Sequence, residues 1–340
     1  MWALYCFIMN LPSYVQIEPV GQCNLRCEMC SIQFRKDGPP HGGLAFMHWD
    51  TFASLIEGFP DLKHLHLQGL GEPMMHPRFF DMVRYAADRG IRVTTNTNLT
   101  LLNPERTERL VTSGLHTLHF SIDGSTPETY ERIRKRAHFD RVLNNVEMLL
   151  ETKKRFASEL PHLHIVMVIM RQNLAELPEL VRMAHGWKAQ KMFVQHLSHD
   201  FGEATLPDEY KPMRDFFVHQ SLAHEDPTRI DLYFGQAREL AQSLGFKLRL
   251  PRTTPKKFES GTPGRKRCDW PWSGAYISYE GYMMPCCMVS TPDRLNFGKV
   301  TDRSLVTAWD SPEYNNFREQ LDSETPPEIC KSCSLYWGTF

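Results

Sequence analysis

Apolar positions along the 340-residue chain recur in two alternating rhythms. Short runs rich in apolar residues read as strands at Tyr14–Pro19, Leu62–Leu67, Ile91–Thr97, Leu115–Ile122, His164–Met170 and Lys191–Leu197. Between them lie stretches with helical spacing: Trp49–Glu57, Pro77–Arg89, a segment from Asn103-Pro104 to Ser113-Gly114, helices through Thr126–Lys154, and Leu174–His185. Asp50 suits a helix N-terminus and Gly90 a helix end. Strands alternating with helices are the pattern of parallel β/α units, so the chain is expected to be α/β. Six units fall short of the eight that close a complete barrel.

Beyond Leu197 the rhythm changes. Ser198–Leu250 holds helices near Asp208–His219 and Leu232–Leu244 and reads as a bridge. Pro251–Arg267 is rich in Pro, Gly, Lys and Arg and reads as a linker. Its bases (Arg252, Lys256, Lys257, Arg265, Lys266, Arg267) are taken as solvated rather than as contacts for an acidic substrate. The expected organisation is a core over 1–200, a bridging segment and linker over 201–267, and a small unit over 268–340.

Charged residues make up 23% of the chain and the net charge is -1, so no nucleic-acid partner is expected. Met1–Leu11 is apolar but too short to span a bilayer and lacks a basic flank, so no membrane anchor or signal peptide is expected. The nine cysteines fall into two groups separated by a cysteine-free stretch from Ser31 to Arg267. A disulfide-rich secreted protein would scatter them more evenly. A reducing, cytoplasmic setting suits thiols held for metal.

The candidate chemistry starts at Cys23-Asn24-Leu25-Arg26-Cys27-Glu28-Met29-Cys30, where three thiols stand at C-x3-C-x2-C after the first strand. A loop of this length can aim three sulfurs at three corners of one cubane and leave the fourth iron open to a ligand. A zinc site or a disulfide knot could use three nearby cysteines as well. The loop resembles the signature of the radical S-adenosylmethionine (radical SAM) superfamily, in which SAM's amino and carboxylate groups fill the open site. That resemblance implies an open (β/α)6 partial barrel, a 4Fe-4S cluster on Cys23, Cys27 and Cys30, and Met29 against the adenine. It also implies a flavodoxin- or ferredoxin-type electron donor.

Further motifs fit the same family. Gly69-Leu70-Gly71-Glu72-Pro73 follows the second strand and resembles its "GGEP" stretch, with Leu70 in the place of the second glycine. Glu72 supplies negative charge for SAM's ammonium, and glycines there allow close approach to a ligand. Thr97-Asn98 resembles the "TNG" stretch, although Leu99 replaces the glycine. Ser121 and Asp123 project to one side of an extended segment and resemble the ribose-contacting pair. Arg134 occupies a position where related proteins often hold a base near SAM's carboxylate.

A second set follows: Cys268, twelve residues, Gly281, four residues, Cys286, then Cys330-Lys331-Ser332-Cys333. Four thiolates complete a tetrahedral zinc or a fully ligated 4Fe-4S cluster, and spacing alone does not choose. The pattern resembles the twitch domain, the shortened relative of the SPASM extension on radical SAM enzymes. This implies one auxiliary cluster on Cys268, Cys286, Cys330 and Cys333, hence two 4Fe-4S clusters in all. Cys287 follows directly and leaves the ligand uncertain by one position. It is a candidate hydrogen-atom donor, though an inert buried thiol is the simpler reading. Cys6, His64 and His66 are read as packed or hydrogen-bonded rather than ligating, and Trp270, Trp272 and Tyr276 as packing.

The family resemblance implies a 5'-deoxyadenosyl radical that takes hydrogen from a C–H bond, with the auxiliary cluster accepting the substrate's electron. Twitch-type relatives favour dehydrogenation of a sugar- or cyclitol-like hydroxyl. Peptide maturation comes second, since only 22 residues precede Cys23, too few for a fused leader-binding domain. Epimerisation or decarboxylation comes third. A zinc or iron-sulfur binding module without catalysis is the non-enzyme alternative. No residue of the bridge is assigned to substrate.

Overall fold

A computed structural model of the chain describes residues 11–35, 45–197, 201–255 and 268–339. Cys6, the stretch Gly38–Gly43 and five linker bases (Lys256, Lys257, Arg265, Lys266, Arg267) lie outside the described residues. In chain order the first half comprises β1 (Tyr14–Ile17), β2 (Arg26–Cys27), α1 (Trp49–Gly58), β3 (His64–Leu67), α2 (Phe79–Ala87), β4 (Arg92–Thr97), α3 (Pro104–Thr112), β5 (Thr117–Ser121) and α4 (Pro127–Ile133). Next come β6 (Arg134–Lys135), α5 (Phe139–Arg155), β7 (His162–Val168), α6 (Leu177–Gly186), β8 (Lys191–Gln195), α7 (Lys211–Gln220), α8 (Pro227–Ser243) and β9 (Lys247–Arg249). The last part holds α9 (Trp270–Ser273), β10 (Gly274–Ile277), β11 (Met283–Met284), α10 (Leu305–Trp309), α11 (Pro312–Asp322) and α12 (Ser334–Trp337).

The main sheet has the order β11-β10-β1-β3-β4-β5-β7-β8-β9, parallel throughout except for β11. All six strands read from the sequence are present and adjacent. The bridge, read as leaving the β/α rhythm, continues it: α8 packs on α6 and β9 adds a parallel strand beside β8. Lys247-Leu248-Arg249 offers one apolar residue in three, too little pattern to reveal a strand. The C-terminal unit joins the same sheet, with β10 buried along its length between β1 and β11.

Alternation along the strands assigns the two faces. Val15, Ile17, Leu65, Leu67, Leu118 and Phe120 are all 0% exposed and merge with the buried faces of the helices into one core. The opposite face is polar. Tyr14, His66, Thr94, Asn96, His119, Phe193 and Arg249, drawn with Val166 from seven strands, line one cavity of about 420 Å³, so the sheet curls around it. Barrel interiors are usually filled by branched aliphatic side chains, and this one is not. His66 is bonded to Thr94 Oγ1 (2.6 Å) and Gln68 Oε1 (2.9 Å), as a hydrogen-bonded histidine should be. Among the described residues no helix is long and apolar enough to cross a membrane.

Candidate functional site

β1 delivers the chain to the cysteine loop, and one carboxylate fixes the delivery. Glu18 is 0% exposed, pairs with Arg35 just beyond the loop (2.6 Å) and accepts from the Leu70 amide (3.0 Å). The loop's own strand, β2, pairs antiparallel with β6 and sets Cys27 opposite Arg134. Cys23, Cys27 and Cys30 then line a cleft of about 270 Å³ together with Met29, Gly69, Gly71, Glu72, Asn98, Ser121 and Arg134. Ten of the twelve residues read from the sequence for this site therefore meet there, and Pro73 and Asp123 do not.

The two glycines line the cleft and also bring two loops into close contact. A Cβ at Gly71 would lie 2.0 Å from the Val20 carbonyl oxygen, and one at Gly69 would lie 2.2 Å from Glu18 Cγ. They bring the glycine loop against the strand that leads to the cysteines, and the Glu72 amide donates to Gln22 O (2.9 Å). Glu72 itself accepts from Thr97 Oγ1 (2.8 Å), the Asn98 amide (2.8 Å) and the Met74 amide (3.3 Å). Burial pushes its carboxyl pKa up, and those three donors oppose the rise.

Asn98 Nδ2 donates to Asn24 Oδ1 (3.0 Å) and points toward Cys23 Sγ (3.8 Å), so this side chain ties β4 to the cysteine loop. Leu99 adopts φ 63°, the left-handed conformation a glycine would take in its place, and is fully buried. Ser121 ends β5 and faces the cleft. Asp123 is two residues on, past the strand end, where alternation no longer governs direction. Its Oδ1 accepts from the Val168 amide (2.8 Å) and its Oδ2 lies 2.7 Å from Arg134 Nη2. The expected ribose pair is thus split: Asp123 stands behind Arg134 and aims it, while Arg134 Nη1 reaches to 4.0 Å from Cys27 Sγ. Pro73 opens a buried turn, Pro73–Met75, that caps the glycine loop.

The second thiol set assembles from β11's end, the turn before α9 and the turn before α12. The Cys286 thiol is pushed well up, by burial first and then by Cys287, Cys333, Cys330 and Cys268 around it. Cys268 rises to about 11 through burial and the nearby Cys333. Cys287 rises to about 12 through burial, Cys333 and Cys268. Cys286 is therefore the member of the pair within electrostatic reach of all three other candidates. Cys287 is not among the cleft residues. Cys333 and Cys268 lie near it, and so does Tyr14 of the barrel interior.

Sequence comparison bears on both thiol sets. A model of the radical SAM superfamily matches residues 17–184, and a model of the SPASM iron-sulfur cluster-binding domain matches residues 268–334. The chain belongs to the radical SAM superfamily. It is 28% identical to the tungsten-containing aldehyde ferredoxin oxidoreductase cofactor-modifying protein of Pyrococcus furiosus, over 95% of this chain and 87% of that one. It is 26% identical to the PqqA peptide cyclase of Rhizobium meliloti, over 95% and 79%. The solved structure of Streptococcus suis SuiB bound to S-adenosylmethionine shares the fold, with TM-score 0.69, 18% identity, and coverage of 97% and 72%.

As a radical SAM enzyme with a SPASM-type extension, the chain takes SAM and iron-sulfur clusters as cofactors. The residues fit them. Burial pushes the Cys23, Cys27 and Cys30 thiols up, Cys27 to about 12, so ionised sulfurs here call for a cation such as iron. N–H groups already face the sulfur of Cys23, with the Leu25 amide at 3.4 Å. The match to a model of an iron-sulfur cluster-binding domain over 268–334, beside the radical SAM match, sets the zinc-module alternative aside.

Sequence reasoning missed part of the cleft. Phe201, Met213, Phe216 and Phe217 from the bridge, with Val168, Leu197 and Met29, form its apolar wall. Ser290, from the turn after Cys287, closes one side. The adjacent phenylalanines of α7 were the available signal: two aromatics that the helix leaves only partly buried.

Proposed function

We propose that the chain catalyses oxidative hydrogen abstraction at an unactivated C–H bond of a peptide or similarly large substrate, and that the C-terminal cluster accepts the substrate's electron. The observation that carries this reading is the shared cleft. Ser290 of the C-terminal unit, four residues after Cys286, and Cys23, Cys27 and Cys30 of the core line the same space, so one bound substrate touches both units. Bound at the open iron, SAM supplies on one-electron reduction a radical able to remove that hydrogen. The chain's share is placement. Glu72 offers negative charge to the ammonium of SAM, Arg134 positive charge to its carboxylate, Ser121 and Asn98 hydrogen bonds, and Met29 an apolar face. Phe216, Phe217 and Leu197 keep water from the reacting carbon.

Two features move the substrate preference from a sugar or cyclitol to a peptide. The cleft wall is aromatic and aliphatic, and a second cavity of about 390 Å³ adjoins it through Leu197 and Phe217. Relatives of near full-length similarity include one named for a peptide substrate. The polar floor, with Gln68, Asn96 and Gln195, keeps a polyhydroxylated substrate as the second reading. Epimerisation or decarboxylation is the third reading. Two 4Fe-4S clusters and a flavodoxin- or ferredoxin-type donor in a reducing cytoplasm complete the proposal. Anaerobic reconstitution should yield about eight irons per chain, 5'-deoxyadenosine from SAM under reduction, and candidate peptides lighter by two hydrogens. Zinc alone, or no 5'-deoxyadenosine, would sink it.

A further inference from the structure

On one side a single short strand separates the cysteine loop from solvent. β2 and β6 form a two-stranded sheet of their own, with Cys27 opposite Arg134 and Arg26 opposite Lys135. The Glu28 amide donates to Ile133 O (2.9 Å) and extends the contact. Side chains alternate across a strand. Arg134 therefore turns in to Asp123, its side chain 8% exposed, and Lys135 turns out, 60% exposed.

The outward face is basic, and contacts tie it to the loop. Lys135 Nζ lies 3.4 Å from Glu28 Oε1, Gln172 Nε2 donates to Glu28 Oε2 (3.2 Å), and Arg132 Nε donates to Gln172 Oε1 (3.1 Å). Glu28 stands between Cys27 and Cys30, so this series of contacts sets Arg132 and Lys135 against the loop itself. Arg136 follows, exposed and without an ion-pair partner among the described residues. Its φ of 75° is left-handed, a conformation that favours glycine, yet an arginine is held there. Three cations thus face one carboxylate. Glu131, the acid before Arg132, accepts from the Phe139 amide (2.9 Å) and makes no ion pair with these bases.

A surface charge run is ordinarily only solvated. Two considerations lift this one above that reading. Electron transfer slows steeply with distance, and the cleft side of the loop is where SAM and substrate sit, so the β6 face is the approach they leave open. Redox encounters between proteins are also small, transient and steered by charge, which a few exposed bases can supply.

We propose that Arg132, Lys135 and Arg136 form the docking surface for the protein that reduces the core cluster, a small acidic one-electron carrier of the flavodoxin type. This rests on the core thiols holding the SAM-cleaving cluster. In the step it serves, the carrier is oxidised by one electron and the cluster is reduced by one, with no atom transferred. Arg134, on the inner side of the same strand, stays with Asp123 and takes no part in docking.

The test uses the full chain, reconstituted anaerobically, with an acidic flavodoxin as probe. Binding of the oxidised flavodoxin is read by calorimetry. Formation of 5'-deoxyadenosine is driven in parallel by reduced flavodoxin or by dithionite, which needs no docking site. Lys135→Glu with Arg136→Glu should weaken binding about tenfold and raise the KM for flavodoxin to match, because like charges across an interface repel. The dithionite-driven rate and the iron content should not change. Lys135→Gln with Arg136→Gln, which places no new charge beside Glu28, should weaken binding about threefold. Raising salt from about 50 to 300 mM should weaken binding of the parent more than that of either variant. Unchanged flavodoxin binding in the charge-reversed variant overturns the proposal. Equal loss with flavodoxin and with dithionite overturns it too, because the bases would then support the loop rather than meet a partner. A parent driven by dithionite but not by flavodoxin overturns the choice of partner. A parent that forms no 5'-deoxyadenosine with either reductant overturns the SAM-cleaving reading itself, a failure distinct from the others.

Discussion

The two cysteine sites differ in what ties their polar neighbours together. Around the core loop the ties are charged or multiple: Glu18 pairs with Arg35, Glu72 takes three donors, Asn98 bonds Asn24 and Asp123 pairs with Arg134. Around the C-terminal thiols the buried cation is held by neutral groups, with Arg318 donating to Pro271 O and Trp309 O. Both sites keep buried polar atoms without a protein partner, the Tyr130 hydroxyl and Arg134 Nε on one side, Trp309 Nε1 and Ser332 Oγ on the other. The difference lies in the ion pairs, which the protein makes by itself and which hold the core loop whether or not a cofactor is bound.

The largest expected contrast lies in the thiols. Cys27→Ala should abolish 5'-deoxyadenosine formation, because the core site loses a corner and with it the open iron. Cys333→Ala should leave SAM cleavage measurable while product formation collapses. Quantifying 5'-deoxyadenosine and product side by side separates the two. Equal loss of SAM cleavage in both variants would show that the sites are not divided between chemistry and electron uptake.

Second in size is the pair behind the core site. Asp123→Asn keeps the shape but leaves Arg134 buried without its countercharge, and breaking one side of a buried pair costs about 3–5 kcal/mol. The loss should appear in chemical denaturation of the iron-free protein as well as the loaded one, since the protein alone makes this pair. A D123N protein as stable as the parent would break the comparison at its root.

How much of this was legible beforehand follows the same divide. The strand-to-loop motifs named most of the core site because each lies at a strand end, where direction is set locally. Asp123 lies beyond that end and turns to Arg134 instead of the cleft, and Gly69 and Gly71, which line the cleft, also serve a packing of two loops that no local pattern shows. The bridge stayed unread because β9 is three residues long and the aromatics of α7 gain meaning only when they fold over the cleft. In the C-terminal unit the thiols were visible by spacing, but the packing of Phe297, Trp309 and Arg318 around Tyr314 was not, because it depends on how the turns fold back on one another.

Leu99 offers a smaller and more ambiguous probe of the core network. Its left-handed backbone costs about 1–2 kcal/mol relative to glycine, so Leu99→Gly removes strain. The same change empties a fully buried site, and large-to-small core substitutions cost about 2–5 kcal/mol. Burial should win, and denaturant titration should show a net loss of about 1–3 kcal/mol. Leu99→Ala, which keeps the strain and loses the packing, should be the less stable of the two. The reverse order would mean that the backbone here is not strained.

A pH dependence is expected beneath the core site. Burial holds His66 and His164 at about 3 and His119 at about 4, against an ordinary 6.5, and the neighbouring rings add to the depression of His66 and His164. His119 lies 3.3 Å from His164 through their ring nitrogens, with Lys191 beside both, so a proton on either ring would meet a second cation. As pH falls below about 6.5 the unfolded chain takes up protons that the folded chain refuses. Stability from these groups is thus complete above that pH and declines steadily toward pH 4. Between pH 7 and pH 5 the unfolding midpoint should drop by several degrees, and His119→Asn with His164→Asn should flatten the slope. Because the cause is the polar interior shared by seven strands, the same titration of a variant lacking the C-terminal cluster should give an unchanged slope, which places the acid sensitivity in the core and not in the cofactor.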